Sequence, residues 1–488
     1  MSNFLRNIIL LSILVISFLM HFKDFSKDLM SIHVWRQTQT QSTIINFYEE
    51  DMNILHPHRN DRGDSDGMFR MEFPLMQWLV ACTYKVFGNH LIITRVCMFI
   101  IGLFTILGIY QLLQTLFRNT TLAVMGTWAF NFSPCFYYYT INPLPDNLAL
   151  CCSVWGIAFF FMWQNNERLI YLLWAGVLLS IGTLCKLPFI VYYIVPALYF
   201  ALQIFLKKWD GKKTITGIVL FIPLVLPLLW YVAVMPQWNG NMIVKGMLDN
   251  QEPSNRIVEF LLHNLISTLP EMLLNYGSVL FFLAGFYFLF TRKAFKDSRF
   301  PLMLAWSAVV VIYFLFEINA IGVDHDYYLF PFYPLLFMLV AYGAFHLYNS
   351  NNKAVRYLTI AVLLLLPLTC YLRMQSRWNP EVPGFNKDLL VYKTELQNAV
   401  PKNALVVVGN DVSHFIFFYY IDKKGWGFHN DELAAAQLQQ MIEHGAKYLY
   451  TDSRNVDSNA EIISRLDKLI LEKGTIKIYS LKKISAEK

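Results

Sequence analysis

The sequence predicts a polytopic α-helical membrane protein, with about eleven transmembrane helices by the length rule and a small C-terminal α/β domain. Three observations lead there. Of 488 residues, 56% are hydrophobic and only 15% are charged, where a soluble domain carries about 25% charged residues. The apolar residues, including 40 Phe and 27 Tyr, come in long runs separated by short polar connections, as in a chain dissolved in lipid. After Arg377 the composition turns soluble-like, and strand and helix patterns alternate.

A helix that crosses a bilayer needs about 20 apolar residues, with about 17–25 tolerated. That length places spans at roughly 4–20, 95–117, 120–140, 147–164, 170–185, 187–205, 214–235, 277–291, 300–317, 328–347 and 357–373. The first, near Arg6, lacks a small-residue cleavage site and reads as an uncleaved span. Phe73–Gly88 is shorter, contains Gln77, Thr83 and Lys85, and reads as an interfacial helix. The seven cysteines show no paired spacing and lie mostly inside apolar runs, so they serve as small hydrophobes.

Charge orients the chain. Arg6, Arg118, Arg168, Lys207, Lys208, Lys212, Lys213, Arg292, Lys293, Lys296, Arg299, Lys353 and Arg356 fall on one set of loops. The opposite loops, the long first one aside, hold little more than Lys186, Lys245 and Arg256. Positive-inside sorting then puts the N-terminus in the cytoplasm. The outer face of this plasma or inner membrane receives the first loop (21–94), a second loop (236–276) and the tail. The chain divides into a membrane part, 1–377, and an extracytoplasmic α/β domain, 378–488. In the tail, Ala404–Gly409 and Tyr448–Thr451 read as strands, and Asp431–His444 and Ala460–Glu472 as helices. Asp411, His414 and His429 there are isolated polar residues.

Polar residues with chemical potential collect on the outer side. The first loop opens with His33, Trp35, Arg36, Gln37 and Thr38 on a polar helical stretch, runs through His56, His58, Arg59, Asp61, Arg62, Asp64 and Asp66, and closes on Glu72-Phe73-Pro74-Leu75. Arg36 and Glu72 lie beside apolar surface, where an unpaired charge is costly. His56, His58 and the nearby aspartates match no strong ligand spacing, so no metal site is assigned and a divalent metal is left as an optional cofactor. Asp146 follows Pro145 just before a span and reads as a helix N-cap compatible with catalysis. Lys186 lies between two apolar runs, where snorkelling competes with function. Asp324, His325, Asp326, Tyr327 and Tyr328 stand together at the mouth of a span, and an interfacial aromatic belt accounts only for the tyrosines.

Transporters place polar groups near the midplane and are often built from repeats. Here the spans are nearly free of charge, no internal repeat is visible, and the polar groups gather at one surface. That pattern points to chemistry on a lipid headgroup. A flippase for a lipid-linked sugar is the alternative, separated by assaying bond transfer against translocation. A non-catalytic scaffold would tolerate substitution of Asp146 and Glu72.

The order of these motifs resembles the membrane glycosyltransferases of the C-type fold, specifically the glycosyltransferase 39-like group of protein O-mannosyltransferases and lipid A aminoarabinose transferases. Glu72-Phe-Pro-Leu resembles that group's Glu-Lys-Pro-Pro-Leu element, followed by Phe87-Gly88 and Arg95. Pro145-Asp146-Asn147 is similar to its second-loop acid, Gly182-Thr-Leu-Cys-Lys186 to its Gly-x-x-x-Lys segment, and His325-Asp-Tyr-Tyr-Leu to its Tyr-rich element. The likeness runs over about residues 1–345, and the order of the motifs rather than any single one gives it specificity. Two departures stand out. His33-Val-Trp-Arg-Gln-Thr has no acid where the group carries one after the first span, and Phe73 replaces its Lys.

The resemblance implies inverting transfer of a hexosyl or pentosyl unit from a polyprenyl-phosphate donor to a protein, lipid or glycan acceptor outside the cytoplasm. The expected partners are that donor, membrane lipids and the acceptor, with no nucleic acid. It implies a carboxylate base, Asp146 first and Glu72 second. Arg36, Lys186, Arg95, Tyr327 and Tyr328 would bind the donor phosphate. His33, Gln37, Asp64, Asp66, Asp324, His325 and Asp326 would contact acceptor or sugar. A topology reporter fused after Lys488 is expected to be active outside the cytoplasm. Activity confined to the cytoplasm would reverse the orientation.

Overall fold

A computed structural model of the chain describes residues 3–63, 65–208, 210–238, 246 and 254–482. Its contacts divide the chain into two units. Apolar helices build the first, which comprises Met1–Ser26, Met71–Met76 and Thr94–Ser376. Among the described residues, seven helices are long and apolar enough to cross a bilayer: Phe4–His21, Leu91–Phe117, Pro145–Asn166, Leu187–Phe205, Gly211–Gln237, Asp326–Tyr348 and Lys353–Trp378. An eighth results if Asn255–Leu273 and Gly277–Thr291, bent by 110°, count as one span.

Helices stand at all eleven predicted positions, but the other positions hold short or broken ones. Leu169–Cys185 and Phe300–Phe316 have 17 residues each. The predicted span 120–140 breaks into Thr120–Asn131 and Pro134–Tyr139, because Pro134 cannot continue the preceding helix. Length and composition alone therefore establish seven spans among the described residues, or eight with the bent pair, and do not reach the count of eleven. Part of the predicted second loop, 236–276, is also helical, with Ser254–His263 running into a π-helix at Asn264–Leu273.

Lipid gives helices no hydrophobic reason to associate, so they pack where small residues let backbones approach. A Cβ on Gly343 would stand 1.9 Å from the Phe281 carbonyl oxygen, and one on Gly285 would stand 2.2 Å from that of Leu339. Gly182 does the same for Pro145–Asn166 and Leu169–Cys185, since its Cβ would lie 2.3 Å from Ser153 Oγ.

The first of these two helices also measures the charge asymmetry of the unit. Asp146 lies in its first turn. Near its far end Arg118 donates to Asn165 at 2.7 Å, and Lys212 pairs with Glu167 at 2.8 Å. Its 22 residues separate those ends by roughly 33 Å.

The second unit comprises Lys27–Arg70, Gln77–Ile93 and Arg377–Lys488. The contacts also divide the chain at Ser376/Arg377, next to the predicted boundary, but most of the first loop groups with the tail. The physical reason is a shared core, in which Leu29 and Val34 are buried with Leu389, Leu396, Val406, Phe417 and Tyr450. Leu75–Phe87, at 13 residues, rises about 20 Å, too little to cross a hydrocarbon core of about 30 Å.

The tail forms one five-stranded sheet from β1 (Leu405–Gly409), β2 (Lys424–Gly427), β3 (Tyr448–Thr451), β4 (Leu466–Lys473) and β5 (Ile476–Leu481). The strand order is β2-β1-β3-β5-β4, with β1 parallel to both neighbours and β4–β5 an antiparallel hairpin. The helix predicted over Ala460–Glu472 stops at Ile463. Its second half becomes β4, because Gly474 (φ 59°) and Thr475 make a two-residue turn that pairs Lys473 with Ile476. Asp411 accepts from the Phe417 backbone N–H at 2.7 Å and from the Ser413 hydroxyl at 2.7 Å. It organises the start of Ile416–Ile421.

The first loop extends this sheet. Arg62 N donates to Gly425 O at 2.7 Å, and Gly425 N donates to Asn60 O at 3.0 Å, covering the free edge of β2. Trp426 Nε1 donates to Gly63 O at 2.9 Å, and Lys402 pairs with Glu49 at 2.9 Å. A Cβ on Gly425 would come 1.8 Å from the Val406 carbonyl oxygen. Gly425→Val should therefore lower stability by about 1–3 kcal/mol or more. Limited proteolysis of the full-length variant should show faster cleavage in both the 50–70 loop and the tail.

Candidate active site

The site begins with a loop that the chain holds by its own hydrogen bonds. Arg95, fully buried, donates from Nη1 to Asn142 Oδ1 at 2.8 Å and to Ile141 O at 3.3 Å. Asn142 Nδ2 donates to Tyr138 O at 2.7 Å, and Asn147 Nδ2 donates to Tyr139 O at 2.8 Å and Asn142 O at 3.0 Å. Pro145 then occupies the first helical position, where its fixed φ suits the helix and its missing N–H is not needed. Leu144 is the N-cap. Asp146 is thus not the cap the sequence suggests but the second residue of the helix. There the helix dipole favours a carboxylate. Its side chain is 2% exposed.

Lys186 meets it from the neighbouring helix. Leu169–Cys185 ends where Lys186 turns extended (φ −158°, ψ 113°), and Pro188 restarts the chain as a 3-10 turn. The Gly182–Ser153 approach brings the start of one helix beside the end of the other. Lys186 Nζ lies 3.7 Å from Asp146 Oδ1, an ion pair with the lysine side chain 10% exposed. The ammonium also faces Tyr328 and Tyr327, 4.9 and 5.8 Å from their ring centroids, a favourable cation–π arrangement.

These rings are themselves fixed. Tyr313 donates its hydroxyl to Tyr328 O at 3.0 Å, and Tyr139 donates to Asp326 Oδ1 at 2.7 Å. His325 stands edge-on to both rings, 5.9 and 5.7 Å from Tyr327 and Tyr328. Asp324 is exposed, whereas Asp326 is buried.

Glu72 joins from a separate segment. Phe73 N donates to Leu184 O at 3.0 Å, and Trp230 Nε1 donates to Met71 O at 3.0 Å, which fixes both residues flanking it. Glu72 and Asp146 both act electrostatically on Cys185 and Tyr231. The first unit therefore gathers Asp146, Lys186, Glu72, His325, Asp326, Tyr327 and Tyr328 at one end. One acid escaped the sequence reading. Glu317 is buried one turn beyond Tyr313, the residue that bonds Tyr328 O. Its signal was an acid at the end of an apolar run.

The remaining candidates belong to the second unit. His33 (φ 53°) starts the helix Val34–Glu49. Arg36 donates from Nη1 to Gln39 Oε1 at 2.5 Å, and Gln37 donates to Ile32 O at 2.9 Å. His56 lies 3.1 Å from Asp51, and His58 3.7 Å from Asp66. The Met68 backbone N–H, with His58 assisting, holds the Asp66 carboxyl below its ordinary range. Asp64 lies outside the described residues. No group of three or more His, Cys, Asp or Glu able to hold a metal ion occurs among the described residues.

Comparison with known proteins adds to this geometry. The family model described as dolichyl-phosphate-mannose-protein mannosyltransferase matches residues 72–231, which hold Glu72, Asp146 and Lys186. ArnT from Cupriavidus metallidurans in the apo state superposes with a TM-score of 0.67 at 11% identity, over 97% of each chain. The chain has the C-type glycosyltransferase fold. The same fold in ArnT bound to undecaprenyl phosphate gives a TM-score of 0.68 over 98% of each chain, again at 11% identity. The oligosaccharyltransferase of Archaeoglobus fulgidus in the apo form gives 0.59 at 11% identity, covering 92% of this chain and 70% of that one. No curated protein matches the chain in sequence.

Breaking a buried ion pair by removing one partner costs about 3–5 kcal/mol, mostly because the other charge is left uncompensated. Lys186→Met should therefore destabilise the protein, and adding Asp146→Asn to it should recover part of the loss. Thermal unfolding of the single and double variants checks this, and strictly additive losses would mean the pair is not coupled.

Proposed function

We propose that the chain is a glycosyltransferase that moves a sugar from a polyprenyl-phosphate donor to an acceptor on the extracytoplasmic face, with inversion at the anomeric carbon. The observation that carries this reading is the buried Asp146–Lys186 pair beneath Tyr327 and Tyr328. A lipid phosphate as carrier is supported by relatives of the same fold, ArnT bound to undecaprenyl phosphate and the archaeal oligosaccharyltransferase AglB in complex with an inhibitory peptide and a dolichol-phosphate. The extracytoplasmic assignment is supported by the basic loops, which lie at the other end of the Pro145–Asn166 helix from Asp146.

The reaction needs two things that these residues provide. The acceptor's O–H or N–H loses its proton as its lone pair attacks the anomeric carbon, and Asp146 takes that proton as general base. The bond from that carbon to the phosphate oxygen breaks with its electron pair going to the phosphate. Lys186 stabilises the charge that gathers there. The products are the glycosylated acceptor and polyprenyl phosphate. Once the phosphate shares the ammonium, Lys186 holds Asp146 less tightly, and the carboxylate becomes a stronger base. Asp146 is preferred over Glu72 because its helix start and the Arg95–Asn142 network hold it rigidly, as proton transfer requires. Arg95 serves as a positioning residue for that loop, since its guanidinium bonds Asn142 and Ile141.

Loss of a general base lowers rates by about 10²–10⁴-fold. Asp146→Asn should lower kcat by that factor and leave donor binding nearly intact, whereas Lys186→Ala should weaken donor binding. Near-normal turnover by Asp146→Asn together with a dead Glu72→Gln would pass the base to Glu72. Activity from a nucleotide-sugar with no lipid donor would overturn the reading altogether.

A further inference from the structure

Glu317 is left unexplained by the scheme above. It follows the last residue of Phe300–Phe316, with its backbone N–H bonded to Tyr313 O at 2.9 Å and its carbonyl accepting from Ile321 N at 2.9 Å. The residue is 5% exposed. Its Oε2 is fully buried with no hydrogen-bond partner among the described residues. A buried carboxylate oxygen left in this state is costly, and packing alone would be better served by an apolar residue.

Its surroundings narrow what that oxygen is for. Glu317 lies one turn beyond Tyr313, whose hydroxyl donates to Tyr328 O at 3.0 Å, and the Tyr328 ring in turn lies 4.9 Å from Lys186 Nζ. Lys186 already has Asp146 as its ion-pair partner at 3.7 Å. A phosphate carries only acceptor oxygens and negative charge, so it offers the Glu317 oxygen no hydrogen to accept. The group that arrives next to that phosphate and is rich in donors is the sugar. We infer that Glu317 binds the donor sugar, its buried Oε2 accepting a hydrogen bond from a sugar hydroxyl or ammonium next to the phosphate held by Lys186. This rests on the glycosyltransferase reading and names the part of the substrate that the third acid recognises.

The test uses the full-length protein in nanodiscs and two kinds of probe. One is undecaprenyl phosphate, and the other is a set of undecaprenyl-phosphate monosaccharides (mannose, glucose, galactose and arabinose). The wild type should bind at least one glycosylated lipid more tightly than the bare phosphate. Glu317→Gln, which keeps the shape, should erase that gain, a loss of about 10–100-fold for a hydrogen bond to a charged group. Its affinity for undecaprenyl phosphate should be unchanged. Glu317→Asp, which retracts the carboxylate but keeps its charge, should lose part of the gain and decides the matter if the Gln variant fails to fold. A Gln or Asp variant that keeps the full sugar preference overturns the inference. So does one that keeps the preference but loses turnover, which would make Glu317 the base, or a wild type that gains nothing from any sugar. A wild type that binds neither kind of lipid instead overturns the glycosyltransferase reading itself.

Discussion

Two helices that touch through Gly182 and Ser153 carry the pair of charges around which the first unit is arranged. Asp146 and Lys186 are both buried, and neither would be tolerated there alone. Each surrounding contact makes sense as support for that pair. The Arg95–Asn142 bonds hold the loop that delivers Asp146. The extended turn at Lys186, between a helix end and Pro188, swings the ammonium toward the tyrosine rings. Tyr313 and the Tyr139–Asp326 bond then fix those rings or their segment. A larger residue at Gly182 would separate the helices and disturb all of these relations together.

The pair also gives meaning to the polarity of the bundle. Charges at one end of the Pro145–Asn166 helix are exposed and sit in short connections, as with Lys212 and Glu167. Those at its other end are desolvated and mutually paired. Exposed ion pairs contribute little to stability, so the pairs at the basic end add little to the fold. The buried end concentrates strong, preorganised fields in a small volume, which is the condition under which charge stabilises a reacting phosphate.

Much of this was legible from residue patterns because the underlying physics is local. Apolar runs of bilayer length marked the helices, and Asp146 and Lys186 stood out as charges at the margins of such runs. Other features depend on partners distant in sequence. Glu317 looked like the end of a span until folding buried it with no hydrogen-bond partner for Oε2 among the described residues. Strand β2 holds two glycines in four residues and has no strand-like composition; its pairing with Val406–Val408 creates it. Residues 466–473 suit a helix by spacing, and the turn at Gly474 overrides that preference. The grouping of the first loop with the tail was invisible for the same reason, since Leu29 and Val34 are ordinary apolar residues until their neighbours are known.

The pairing of Asn60–Arg62 with Gly425 has a consequence for how the chain is made. Trp426 and its partner Gly63 are 363 positions apart, so at about 5–20 residues per second a ribosome needs roughly 20–70 s between the two. Throughout that interval the first loop has no β2 edge to bind and no tail core to receive Leu29 and Val34. The second unit is therefore completed only after the last membrane helix has been synthesised, and the early loop must remain soluble and uncleaved until then. Its many polar residues, among them the buried run Arg36–Ser42, suit a segment that spends its first minute in water before it is enclosed.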